Sequence, residues 1–177
     1  MWTIRAEREG DEAAIEALVN AGFGPGRFAK SAYRLREGVA PEKGLSFVAE
    51  EAASGDLLGS VRFWPVAISG RPSLLLGPLA VKPGFHGQGI GLGLMKAGIE
   101  AAKRLGHESI VLVGDEPYYA RAGFARLKPG QVNFPGPVDK ERILGLHLRG
   151  LSLETLAGNV ERARIDIPVS AQAAPLG

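Results

Sequence analysis

The chain has 177 residues, with Lys+Arg 21 against Asp+Glu 19, no cysteine and 25 glycines. That length supports a full hydrophobic core without staples, and the missing cysteines exclude disulfides, thiolate zinc sites and a cysteine nucleophile. A net charge of +2 is too small to point to nucleic acid, and no apolar run approaches the ~20 residues of a membrane span.

Trp2 to Arg5 alternates and predicts a short opening strand; with no apolar stretch behind a basic start, export is not signalled and the cytoplasm is the expected location. Asp11 reads as the N-cap of a helix from Glu12 to Val19, with Ile15, Leu18 and Val19 inward, broken by Gly22, Gly24, Pro25 and Gly26. A second helix is expected from Phe28 to Glu37, with Phe28, Ala32 and Leu35 on one stripe.

Beyond Pro41 the pattern turns to strands: Leu45–Glu50, Leu58–Val66 and Ser73–Val81, joined by turns at Ser54-Gly55-Asp56 and Ser69-Gly70-Arg71-Pro72. Gly77-Pro78 interrupts the third, which predicts a bulge or an opening of the sheet, because proline cannot donate to a ladder. A glycine-rich turn from Pro83 to Gly91 leads into a long helix ending near Leu105, with Leu92, Met95, Ile99 and Ala102 on one face and Gly106 as its stop. Ser109–Val113 reads as a buried strand, Asp115-Glu116-Pro117 as the start of a short helix holding Tyr118 and Tyr119, and Phe124–Leu127, Arg142–Leu148 and Val160–Ile165 as strands. Residues 1–169 are expected to form one α/β domain, a mixed and mostly antiparallel sheet, with 170–177 as a loose tail.

Six of the glycines fall between Gly84 and Gly98. A turn of this kind, after a strand and opening a helix, gathers backbone N–H groups in one concavity beside the positive helix end, and so favours a phosphate or pyrophosphate. Glycine removes the Cβ that would block close approach of a ligand. The P-loop spacing fails, since Gly84 and Gly89 are followed by Ile90-Gly91, and the dinucleotide spacing fails because Leu92 or Leu94 stands at its third glycine.

Two motifs in order, Leu79-Ala80-Val81-Lys82-Pro83 followed by His86-Gly87-Gln88-Gly89-Ile90-Gly91, and then Tyr118-Tyr119-Ala120-Arg121-Ala122-Gly123-Phe124, do fit a known pattern. Here the chain resembles the GNAT acetyltransferases, whose acyl-CoA loop reads [Gln/Arg]-x-x-Gly-x-[Gly/Ala] and is followed by Tyr-x-x-x-Gly-Phe. The resemblance covers about Leu45 to Leu127, and His86 stands where the family has Gln or Arg. It implies a sheet splayed at its middle with helices on both faces, and acetyl-CoA as co-substrate. It also implies direct transfer to an amine of a small-molecule or peptide acceptor, and dimerisation is common on the fold. By the same resemblance Leu79, Ala80 and Val81 pair with the pantetheine arm, and the amides from His86 to Gly91 take the pyrophosphate. Tyr119 becomes the acid that protonates the departing thiolate, with Tyr118 as its alternative.

Each of these residues has a plainer reading. Tyr119 can simply pack the short helix on the sheet, and Asp115 can be a helix N-cap as well as a general base. Glu50, Glu51, Glu116 and His86 remain further candidates for that base. Trp64, Phe63 and Phe47 read as core or substrate wall, Phe23 and Phe28 are expected at the border of the acceptor pocket, and Arg121, Arg126 and Lys128 are expected to meet solvent or cofactor phosphates. His107 and His147 read as a helix-end and a strand residue, and three scattered histidines make no metal site. A non-catalytic acyl-CoA sensor on the same fold is the competing reading.

Overall fold

The computed structural model describes residues 1–23 and 31–163. In chain order it contains β1 (Trp2–Ala6), α1 (Glu12–Phe23), α2 (Ser31–Arg34), β2 (Ser46–Glu51), β3 (Leu57–Ile68) and β4 (Arg71–Val81). There follow α3 (Ile90–Arg104), β5 (Ser109–Val113), α4 (Glu116–Ala120), β6 (Ala125–Arg126), β7 (Val132–Asn133), β8 (Ile143–His147) and β9 (Gly158–Arg162).

The sheet runs β1-β2-β3-β4-β5-β8-β6, and β9 joins β3 beyond the end of β2. Only β4–β5 and β7–β9 are parallel; the other pairings are antiparallel, as the expected fold class requires. Strand alternation divides the core between the two faces. Ile110 and Leu112 of β5 pack with Leu94, Met95 and Ile99 of α3, whereas Val111 points to the opposite face with Leu35, Val66 and Leu75. On that opposite face α1 seals Val48 and Ala80 with Ile15, Leu18 and Val19. Gly98 lets α3 come this close: a Cβ there would run into the ring of Phe63, which is fully buried.

Several expected boundaries move. α1 continues through Gly22 to Phe23, because an isolated glycine weakens a helix without ending it. Asp11 holds the expected N-cap position of α1, its carbonyl accepting the Ile15 N–H (3.0 Å), while its carboxylate accepts from Arg5 and from the Arg8 N–H (2.7 Å). α2 ends at Arg34, short of Glu37, and Phe28 lies outside the described residues. β9 begins at Gly158, ahead of Val160, and Ile165 and the tail from 170 lie outside the described residues. β7 carries no sequence signal, since two residues are too few to show a period.

Among the described residues, no helix is long and apolar enough to cross a membrane.

Candidate active site

β4 and β5 pair only where Leu74 lies opposite Ile110 and Leu75 opposite Val111. Past that point β4 passes through Gly77-Pro78, where its register against β3 shifts, and the two strands part. Proline has no N–H to offer β5, and Gly77 sits at φ 138°, a region side chains disfavour. The opening expected at Gly77-Pro78 is thus realised on the β5 side.

The register decides which backbone groups face that opening. The Lys82 N–H donates to the Leu58 carbonyl (2.8 Å), so the Ser60/Ala80 pair two residues on is also a hydrogen-bonded pair. Leu79 and Val81 alternate with them and turn their N–H and C=O groups the other way, into the gap left by β5. Ala80 therefore departs from its expected role: its polar backbone groups belong to β3, and its side chain is buried against α1.

Next comes the glycine turn. His86, Gly87, Gln88 and Gly89 are exposed, and Gly89 (φ 81°) stands at the N-cap of α3 with no side-chain cap. The first helical bond runs from the Gly93 N–H to the Gly89 carbonyl (2.9 Å), so the N–H groups of Ile90, Gly91 and Leu92 have no acceptor within the helix. The buried side chain of Ile90 pins this end of α3 on Gly59 of β3.

The tyrosines occupy distinct places. Tyr118 is 38% exposed, and its hydroxyl fills the space that a Cβ on Gly91 would need. Tyr119 lies on Gly114, where any Cβ would collide with its ring, and meets Tyr118 (5.1 Å between centroids) and Phe124 (6.2 Å) edge to face. Burial first, then Tyr118 and Asp115, push the Tyr119 phenol up to about 12, against a smaller opposing pull from Arg142. Burial also raises the Tyr118 phenol, opposed by Arg121. Both hydroxyls keep their protons at neutral pH.

A cavity of about 440 Å³ lies between the parted strands, lined by Leu76, Leu79, Val113, Tyr118, Tyr119 and Asp115 among others. Asp115 holds the N-cap position of α4 without a side-chain cap. Its carbonyl accepts the Tyr118 and Tyr119 N–H groups (3.2 Å each), and its carboxylate pairs with Arg142 (3.3 Å). The other proposed bases stand elsewhere. Glu50 accepts from Arg5 (2.6 Å), Glu51 from Ser54 (2.8 Å), and Glu116 pairs with Arg126 (2.9 Å). Neither these carboxylates nor His86 are among the described residues lining the cavity.

Of the remaining candidates, Phe63 is core and Phe47 packs against it, while Lys128 pairs with Glu154 (3.5 Å). His107 is not a free solvent residue, since its Nε2 lies 3.8 Å from Glu42. His147 is in β8, where its Nδ1 accepts the Arg149 N–H (3.1 Å). The Phe23 side chain lies outside the described residues. Sequence reasoning missed Arg36, Val138, Asp139 and Arg142, all in the cavity lining. Arg36 falls at the end of the expected second helix and Arg142 at the start of an expected strand, where the pattern reports burial and not a site, while Val138 and Asp139 fall in a stretch without periodicity.

A splayed mixed sheet whose open strand edge meets a glycine-opened helix defines an acyltransferase architecture. Residues 42–126 match the model of the acetyltransferase (GNAT) domain. The Escherichia coli K12 protein named "Uncharacterized N-acetyltransferase YhbS" is 33% identical over 123 residues, 68% of this chain and 72% of that protein. The crystal structure of E. coli YhbS in complex with CoA superposes with a TM-score of 0.77 at 28% identity, covering 92% of this chain and 89% of the other. A GNAT family acetyltransferase from Brucella melitensis in complex with acetyl-CoA gives 0.67 at 29% identity, covering 92% and 96%. The chain belongs to the GNAT family of N-acetyltransferases.

Proposed function

We propose that the chain moves an acetyl group from acetyl-CoA directly to a primary amine of a small-molecule or peptide acceptor. The observation that carries this reading is the cavity where Leu79, Tyr118 and Tyr119 meet at the outward-facing edge of β4, with the Tyr118 hydroxyl against Gly91 at the uncapped start of α3. The solved relatives with CoA and acetyl-CoA support the choice of co-substrate.

When bound, acetyl-CoA supplies an acyl group activated as a thioester. Leu79 and Val81 offer the N–H and C=O groups that hold an extended arm as an added strand, and an amide there polarises the reacting carbonyl. The amides between His86 and Gly91 take the pyrophosphate. The exchange replaces a C–S bond by a C–N bond, with one proton leaving the nitrogen and one reaching the sulfur. Tyr119, protonated throughout the neutral range, donates the second proton. Asp115, the carboxylate of the candidate set that lines the cavity, receives the first, directly or through water.

Thermal-shift titration with acetyl-CoA, CoA, NAD and ATP tests the reading, followed by thiol release against a panel of amines. Stabilisation by the two CoA species alone, with release dependent on an amine, is expected. No stabilisation by either CoA species overturns it.

A further inference from the structure

Arg142 stands where β8 begins, and its backbone is fastened on both sides. Its N–H donates to the Asp139 carbonyl (3.0 Å), closing the single turn Lys140–Arg142, and its carbonyl accepts the Gly114 N–H (2.9 Å). That second bond lies one residue beyond the Val113–Ile143 pair that ends the β5–β8 ladder. The strand pairing therefore carries Arg142 alongside the residue that precedes Asp115. The turn is itself capped, since the Asp139 carboxylate accepts the Glu141 N–H (3.0 Å).

Asp115 is built differently. Its carbonyl is held by the Tyr118 and Tyr119 N–H groups (3.2 Å each), but its side chain is 78% exposed and caps nothing. An exposed carboxylate of this kind samples several staggered rotamers, whereas a proton acceptor works only within hydrogen-bond reach of the proton it takes. The Arg142 guanidinium lies 3.3 Å from Asp115 Oδ1, and both residues line the cavity of about 440 Å³. Tyr119 is tied to the same place, because its ring covers Gly114, whose N–H holds Arg142. Burial pushes the Tyr119 phenol up and Arg142 pulls the other way, so the cation is felt at that ring as well.

We propose that Arg142 is a positioning residue for the transfer, selecting the conformer of Asp115 in which the carboxylate meets the acceptor's ammonium at the cavity wall. The role rests on the acetyltransferase reading with Asp115 as its base. In the step it serves, the nitrogen gives its proton to the Asp115 carboxylate as the C–N bond forms, and Tyr119 protonates the departing sulfur. Arg142 exchanges no proton, because a guanidinium stays charged throughout the neutral range. An exposed ion pair adds little to stability, so the contribution of Arg142 is to rate, where placement of a reacting group counts for more than the attraction within the pair.

The test measures amine-dependent thiol release from acetyl-CoA in Arg142→Gln, in Asp115→Asn and in the double variant. Arg142→Gln is expected to lower kcat about tenfold with the KM for acetyl-CoA unchanged, and Arg142→Lys, which keeps the charge, recovers part of the loss. In the Asp115→Asn background the same Arg142→Gln change should alter kcat by less than about twofold, because no carboxylate is left to place. Losses that simply multiply, with Arg142→Gln costing the same in both backgrounds, overturn the proposal, since a purely structural role gives that result. A wild-type kcat in Arg142→Gln overturns it as well. Should Arg142→Gln lose the CoA-induced thermal shift, and so its fold, Arg142→Lys in the two backgrounds decides: a loss confined to the chain with Asp115 supports the role, and an equal loss or none overturns it. Thiol release unchanged by Asp115→Asn removes the base and this role together but leaves the transferase reading. Absence of both thiol release and CoA stabilisation in the wild-type protein removes that reading too.

Discussion

The hydroxyl of Tyr118 occupies the space a methyl group on Gly91 would need. The second motif glycine is therefore required by a protein side chain, in addition to whatever a ligand needs there. This contact links α4 to the start of α3, so the tyrosine helix and the glycine turn are positioned together.

Gly91→Ala is expected to push Tyr118 away from α3 with little loss of stability, because alanine favours the helix and Tyr118 is partly exposed. Acetyl-CoA binding should weaken by roughly tenfold, about 1.4 kcal/mol. Calorimetric titration checks this, and the loss should shrink in a Tyr118→Ala background, where nothing collides with the new methyl.

Gly98→Ala is expected to act on stability. Its Cβ meets the ring of Phe63, which is fully buried and has no room to retreat. The cost should be about 1–3 kcal/mol, the range for overpacking, read as a lower urea midpoint.

Tyr119→Phe should lower kcat by about 100-fold or more, with CoA binding retained. The phenol is pushed up to about 12 by burial, so its ionisation should not produce an alkaline limb in kcat below about pH 10. The folded state holds this proton more tightly than the unfolded chain, so stability is fully present below the ordinary tyrosine pKa. It is lost as pH rises toward 12. Melting curves of wild type and Tyr119→Phe should diverge only above about pH 10.

Asp11→Asn removes the carboxylate that accepts from Arg5 and from the Arg8 N–H. Hydrogen bonding to Arg5, the largest cause, holds this carboxyl below its ordinary range. Its contribution is present above the ordinary carboxylate pKa and disappears as pH falls through the lowered one. At pH 7 the substitution should cost about 1 kcal/mol, since solvent screens the pair, and the difference in urea midpoint should close on acidification below about pH 4.

The sequence by itself determined the parts whose signal is local. Periodicity marked the opening strand, the strand at Ser109–Val113 and the long helix. Motif spacing placed the glycine turn and Tyr119 in the order the fold uses. Composition removed cysteine chemistry outright. Only the tertiary structure decided which backbone groups are available, because Leu79 and Ala80 differ only in how β4 registers against β3. It also decided that the Asp11 carboxylate reaches Arg5, and that Asp115, among the candidate carboxylates, reaches the cavity. Periodicity reports what one segment buries, whereas a binding site is made by segments far apart in the chain, whose contacts exist only once the sheet has opened and the helices have closed over it.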